Sequence, residues 1–471
     1  MNLSRGTDSR SESVAKTTVI DHQTKDHAAN GKRVDDMETG SHQQKKLPVT
    51  AVIVGCGHRS LIYASYALQQ PDELKIVGIV DPLEERRKAA AAKFSVSEDQ
   101  CYASVDDLVK GPRIADAVIN GTMDALHVET TIPLLRAGYD VLLEKPIGIS
   151  EEEVLSLYEE AKRLGRKVMI CHVLRYAPFY AAVRQKVADG VIGDLLQVLT
   201  TENVSYHHMA TAFVRGKWRS KEQCGSHFLM AKSCHDLDLI TWMKTGVRPV
   251  KVSSFGYRSY FREDQAPAGS GKRCLVDCEI ERECPYSAKR LYVEQQMWGD
   301  YIWEYSRVSR DADDEAKLED LRTENPYGRC VWRCDNDVTD HQNVIIEFED
   351  ESTATHVLTG GTAKPCRSIH LIGTKGEIEG VMEDGYFVIR KPNLDNAREP
   401  LEERIELNVS NDMHGGGDLR LAADFVNMLK GGEPSISATS LESSIYGHLI
   451  GFHADQARLE NSVYELQQLE D

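Results

Sequence analysis

An α/β fold in two halves is what this sequence predicts, and three observations predict it. A β-branched run ends in a Gly-x-Gly turn and passes through a helical stretch into a second apolar run. Strand-like segments dominate from Leu195 onward, with alternation of inward and outward residues in VIIEFEDESTATHVL. Two amphipathic helical patterns, DLRLAADFVNMLKGG and ATSLESSIYGHLIGFHADQARLE, follow near the end.

PVTAVIVGCGHRS, from Pro48 to Ser60, reads as a buried strand entering a tight turn. LIYASYAL continues with helical spacing, and LKIVGIVD, from Leu74 to Asp81, reads as a second buried strand. Strand, glycine turn, helix and strand make a βαβ unit. Gly55 permits the turn, and Gly57 lets backbone approach a pyrophosphate lying at the helix N-terminus. Ser60 stands where a third glycine is usual and is small enough for helix–strand packing. Asp81 would accept hydrogen bonds from the adenosine ribose, which favours NAD over NADP. Arg86 and Arg87 would tolerate a 2′-phosphate or are solvated helix residues. ADAVINGT and DVLLEKP read as further strands, with PLLRAG ending a helix at Gly138.

Length, composition and charge bound the rest. A chain of 471 residues exceeds one ordinary core, so two domains are expected. Its apolar content of 41% is that of a globular protein, and no run approaches a membrane span. A net charge of −18 argues against nucleic acid or an anionic membrane as a partner. Residues 1–47 are polar and read as a disordered tail with neither a secretory nor a transit signal, which places the protein in the cytoplasm.

INGTMDALH and LLEKPIG, taken with the Asp-ended strand, resemble the Gfo/Idh/MocA oxidoreductases, the relatives of glucose–fructose oxidoreductase and inositol dehydrogenase. The resemblance continues through HVLRYAPFYAAVRQKVADGVIGDLLQV, CHDLDLITWM and IHLIGTKGEIEG, and so covers most of the chain from Pro48. It implies a Rossmann domain over 48–171, binding NAD with NADP as the alternative, and an α/β domain over 172–471 for substrate and oligomer contacts. The second domain would hold a large, mostly antiparallel sheet, and its exposed face makes a homo-oligomer the expected state.

The resemblance also implies a site. Cofactor contacts fall on Gly55, Gly57, His58, Arg59, Asp81, Asn120, Thr122, His127, Glu144 and Lys145. Lys145 would orient a substrate hydroxyl and steady the developing alkoxide, and His235 would take the proton. His235 is read at the start of a helix that Asp236 and Asp238 open, which leaves a purely capping role as the alternative. Arg175 and Tyr176 lie where relatives line the substrate cleft. Many relatives carry Asp four residues before the histidine, and here that place is Ala231. Lys232 beside it, or Asp340 and His341 from another segment, would supply the missing polar contact. Tyr206, His207 and His208 would meet sugar hydroxyls, with at most one of the two histidines facing the site if they lie on a strand. The glycines of HGGGD, His414 to Asp418, would let backbone approach a ligand.

Three functions remain open on these residues. The first is an NAD(P)-dependent oxidoreductase acting on a CH–OH group of a sugar, sugar derivative or cyclitol. The second is a redox-neutral, glycoside-cleaving enzyme with tightly bound NAD. The third is a non-catalytic nucleotide-bound regulator, against which the retention of Lys145 and His235 weighs.

Between about 256 and 340 the spacing of sheet strands is broken by an insertion carrying Cys274, Cys278, Cys284, Cys330 and Cys334. A reducing compartment disfavours disulfides, and buried free thiols or a zinc site are the readings left. No catalytic metal is expected.

Overall fold

The computed structural model describes residues 47–469, except 304, 305, 307 and 408–415, together with the strand Lys16–Val19. The remainder of the polar tail lies outside the described residues, as do His414 and Gly415 of the HGGGD run.

Two sheets organise the chain. With strands counted in chain order, Lys16–Val19 is β1. The first sheet then takes β2 (Val49–Val54), β3 (Leu74–Val80), β4 (Cys101–Tyr102), β5 (Ala117–Asn120), β6 (Asp140–Leu143) and β7 (Val168–Ile170). Its spatial order is β4-β3-β2-β5-β6-β7 and every pairing is parallel. The order reverses between β2 and β5, the switch point where an open α/β sheet receives a dinucleotide. Both faces are covered, which explains the near-continuous apolar strands. Val52, Val54, Val118, Val141 and Leu143 pack on one side, and Ala51, Ile53, Ile76, Ile119 and Leu142 on the other.

The second sheet has ten strands. Besides β1 they are β8 (Leu195–Ser205), β9 (Pro249–Tyr257), β10 (His341–Phe348), β11 (Thr353–Thr362), β12 (Cys366–Gly373), β13 (Gly376–Val381), β14 (Tyr386–Lys391), β15 (Leu401–Glu406) and β16 (Tyr464–Glu465). They run in the order β1-β15-β14-β13-β12-β8-β11-β10-β9-β16, antiparallel except at β1/β15 and β8/β11. β10 alternates strictly between exposed and buried residues, as a half-solvated sheet requires. The insertion is the connection from Arg258 to Asp340 between the neighbouring strands β9 and β10. It has its own small core of Leu291, Tyr292, Ile302, Trp303, Leu321 and Tyr327.

The helix Phe228–Met243 lies between the sheets, buried along nearly its whole length. It packs against the helix Leu441–Glu460 so closely that a Cβ on Gly451 would stand 2.0 Å from the Met230 sulfur. His235 is in the middle of this helix and not at its start, so Asp236 and Asp238 do not open it. Asp238 instead takes a two-pronged ion pair from Arg175 at 2.7 and 2.5 Å, both side chains being 1% exposed.

Removing one partner of such a pair strands a buried charge. Asp238→Ala is expected to cost about 3–5 kcal/mol and to lower the melting temperature by several degrees in a thermal scan. An unchanged melting temperature would show that the Arg175 charge is solvated. A second expectation concerns His356 on β11, which is fully buried between Thr200 and Ser233 and which burial pushes down to about 4. Between that value and the ordinary histidine value near 6.5 the unfolded chain binds the extra proton, so stability rises with pH across this window. As pH falls from about 6.5 to about 4, wild type should lose about 1.4 kcal/mol per pH unit relative to His356→Gln. Parallel pH curves for the two proteins would contradict this.

Candidate active site

The turn after β2 is shaped by contact with the loop after β5. Gly55 has φ of +77°, and a Cβ there would meet the Gly121 carbonyl oxygen at 2.8 Å. Ser60 fills the third-glycine place, buried, with its hydroxyl donating to the Gly55 carbonyl at 2.5 Å. Above Gly57, which caps the helix His58–Ala64, there is open space. Asp81 closes β3 and accepts from the Cys56 N–H at 2.8 Å and the Leu83 N–H at 2.9 Å, which aligns its carboxylate along the turn. Arg87 donates to the carbonyls of Asp81 and Pro82, so it caps backbone instead of facing a 2′-phosphate.

Arg59 is the cation of this cradle. It pairs with Glu144 at 3.1 Å and with Asp418, and touches the Tyr63 hydroxyl. Its Nη1 is buried with no hydrogen-bond partner, a donor that an anion lying over the turn would satisfy. A dinucleotide pyrophosphate fits that donor and the open space at Gly57. Glu144 is fully committed to Arg59, the Tyr63 hydroxyl and the Lys145 N–H, so it supports the cradle. Burial raises its pKa, but Arg59 and Lys145 outweigh that and hold it below the usual value. Asn120 and His127 are also braces. Asn120 links Thr122, Thr130 and Thr131. The His127 ring bridges the Thr122 and Pro146 carbonyls, tying the β5 loop to the strap that carries Lys145.

Lys145 follows β6, joined to Pro146 by a cis peptide bond. Its ammonium donates to the Ala231 carbonyl at 3.0 Å. Burial works against its charge, but Cys234, Glu144 and Asp124 more than offset this and raise its pKa. Lys145 is therefore a standing cation and not a base. The helix Phe228–Met243 that it touches also carries His235, whose ring meets His172 edge to face at 5.6 Å between centroids. His172 in turn lies 5.5 Å from His448. His172 is buried with neither ring nitrogen hydrogen-bonded, and burial pushes its pKa well down. His448 accepts from the Ile147 N–H and donates to the Ser444 carbonyl, so it grips the strap two residues beyond Lys145.

No carboxylate stands at Ala231, and the carboxylates nearest this part of the helix lie on its other face. Lys232 pairs with Glu202 on β8 at 3.1 Å. Arg367 on β12 joins Glu202 at 2.5 Å and Asp236 at 3.1 Å. Burial pushes Lys232 below the ordinary lysine value and Asp236 up to about 7. Glu202 was missed in the sequence, although it sits at an inward position of the alternating strand β8.

Five expected contacts have other partners. Arg175 spends its guanidinium on Asp238, the Ala438 carbonyl and Ser443. Tyr176 donates to Asp424 at 2.8 Å. Asp340 clamps the entry of the insertion, accepting from the N–H groups of Ser259 and Tyr260. His341 pairs with that carboxylate at the half-exposed start of β10. Asp418 of HGGGD is the partner of Arg59.

A wall of rings faces this junction. His207 and His208 lie on a short helical turn after β8, not on a strand, and both meet Trp298 from the insertion. His208 stacks on Trp298 at 4.6 Å, and the Trp298 indole N–H donates to His207 at 3.2 Å. Tyr301 continues the wall to Trp218, whose indole N–H reaches Asp124 at 3.3 Å. Burial, then the charge of Lys232, holds His208 well below the usual histidine value, with Lys145 adding to this. A separate cavity of about 470 Å³ opens at the other end of the Phe228–Met243 helix, beside Trp242 and Lys244, and contains neither Lys145 nor His235.

Comparison with known proteins places this geometry. The model of an oxidoreductase family with an NAD-binding Rossmann fold, GFO/IDH/MocA, matches residues 49–172, and its C-terminal-domain model matches 180–277. The chain is 23% identical over 392 residues to the protein YteT of Bacillus subtilis (strain 168), covering 79% of this chain and 87% of that one. It is 28% identical over 207 residues to 2,7-anhydro-N-acetylneuraminate hydratase of Escherichia coli (strain K12), a match spanning 43% of this chain and 52% of that enzyme. Among solved structures, levoglucosan dehydrogenase in complex with NADH and L-sorbose superposes with a TM-score of 0.64 at 16% identity, over 90% of this chain and 100% of that one. That likeness is one of fold. With a Rossmann sheet and the lysine strap inside the first match and the C-terminal-domain match following it, residues 49–172 and 180–277 carry the two domains of the Gfo/Idh/MocA family of oxidoreductases.

Proposed function

We propose that the protein oxidises a CH–OH carbon of a sugar, sugar derivative or cyclitol, with NAD as the hydride acceptor. The observation that carries this reading is the buried, charged Lys145, held against the helix that bears His235. A dinucleotide held at Gly57 and Arg59 would supply the acceptor for hydride from the carbinol carbon. Lys145 draws electron density from the substrate oxygen and steadies it as the hydroxyl proton leaves. His235 receives that proton, and its neighbour His172, which burial keeps neutral, adds no positive charge of its own beside the imidazole. The rings of Trp298, Tyr301 and Trp218 suit the apolar C–H face of a pyranose or cyclitol.

The missing carboxylate at Ala231 favours a second reading. Without it no carboxylate stands at that helix position to share the proton that His235 receives, and a redox-neutral cycle with retained NAD, ending in elimination from a glycoside, uses the same groups. The hydratase relative supports this alternative.

Lys145→Ala is expected to lower kcat by about a hundredfold to a thousandfold while NAD still binds, read by steady-state rates and calorimetry. Near-wild-type rates in that variant would overturn the mechanism. A panel of sugars and cyclitols should give NADH at 340 nm. NAD released only on denaturation, with product but no net NADH, would establish the second reading instead. Asp81 facing a 2′-phosphate should favour NAD over NADP by at least about tenfold, which needs only about 1.4 kcal/mol. Equal efficiency with NADP would contradict that role.

A further inference from the structure

The insertion gathers four of its five cysteines around one void. Cys274, Cys278, Cys284 and Cys330 all line a space of about 10 Å³, while Cys334 turns away and donates its thiol to the Cys330 carbonyl. The convergence is built by backbone. The Cys274 N–H donates to the Gly328 carbonyl and the Cys330 N–H to that of Lys272, which clasps the two arms together. Asp277 accepts from the N–H groups of Lys272 and Arg273, folding Cys278 back over Cys274.

A second observation points to negative charge in this void. Arg215 lines it, is 1% exposed, and forms no ion pair with a carboxylate among the described residues. Its guanidinium meets the Arg329 and Tyr286 carbonyls, the Tyr292 hydroxyl and, at 3.5 Å, the Cys274 sulfur. Glu281 also lines the void, but its carboxylate takes the Ser287 hydroxyl, so the groups in contact with the Arg215 guanidinium are neutral, and a buried cation so placed is costly unless an anion stands nearby. Neutral thiols do not supply one, whereas thiolates do.

We propose that Cys274, Cys278, Cys284 and Cys330 form a structural tetrathiolate site for one zinc ion. Among the described residues no three ligating groups already meet at a common metal position, so the proposal requires the four thiols to draw together on the ion. Binding releases four thiol protons to solvent and leaves a site with two net negative charges, which Arg215 faces. The void has room for a single atom of about water size and not for an iron–sulfur cube. Soft thiolates in a closed set of four select zinc among the common divalent ions. Cys278 is only partly buried and provides the entry path. The small core of the insertion gains the staple it lacks, and the ion fixes the segment that presents Trp298 to the cleft.

The test uses the full chain, purified without chelator and assayed for zinc, iron and acid-labile sulfide. About one equivalent of zinc per chain is expected, falling below about a tenth in Cys278→Ser and in Cys284→Ser, with Cys334→Ser unchanged. Should those variants fail to fold, Co²⁺ added to zinc-stripped wild type is expected to give thiolate charge-transfer absorption and the strong visible bands of a tetrahedral site. Zinc below about a tenth of an equivalent in wild type, with no cobalt spectrum, would overturn the proposal. So would iron with sulfide, or zinc retained by the Cys278→Ser/Cys284→Ser double variant.

Discussion

The helix Phe228–Met243 buries ionised groups on two faces, and the rest of the site depends on how they are neutralised. On the face toward the Rossmann sheet, Asp238 takes Nε and Nη2 of Arg175. On the face toward the ten-stranded sheet, Lys232 and Asp236 enter a network with Glu202 and Arg367. Neither set tolerates a shift along the helix axis, because a displaced charge would be left unpaired in a dry interior. The helix is thereby fixed to both sheets at once, and with it the Ala231 carbonyl that receives Lys145. The register of the helix is set by charge, and the placement of the Lys145 ammonium follows from that register.

Spacing divides the two faces. Ala231, Cys234, His235 and Asp238 recur at helical intervals toward Lys145, His172 and Arg175, whereas Lys232, Ser233 and Asp236 point to the large sheet. Loss of the usual aspartate at Ala231 therefore does not leave the site without carboxylates. They stand on the other side of the helix, where they partner Lys232. The buried groups flanking this part of the helix are accordingly two lysines and a neutral imidazole at His208.

Local signals made the Rossmann half readable. The glycine turn, the Asp81-ended strand and the EKP strap are each specified within a few residues, and each stands where its pattern placed it. The limits of the insertion were also legible, because strand alternation stops near Phe255 and resumes near Val344. Arg175 and Tyr176 were misread because their partners, Asp238 and Asp424, are remote in sequence, and a polar pair after a strand looks like a cleft residue until its partner is known. Asp340 was misread for the same reason, since its acceptors' demand comes from the turn at Ser259. His207 and His208 were read on a strand, but Ser205 caps a helical turn there and brings both rings to one side. Trp298 had no periodic context at all. Its position depends on the fold of the insertion, which no short pattern encodes.

The account joins three parts: a cradle at Gly57 and Arg59, a lysine strap, and an aromatic wall carried by the insertion. Its central claim is that they surround one reacting centre. The most direct measurement is a crystal structure of the NAD complex. The account predicts the pyrophosphate over Gly57 within hydrogen-bond reach of Arg59, and the nicotinamide ring beside the Lys145 ammonium on the side facing His235. A nicotinamide seated away from Lys145, or a dinucleotide bound in the cavity beside Trp242 and Lys244, would contradict it.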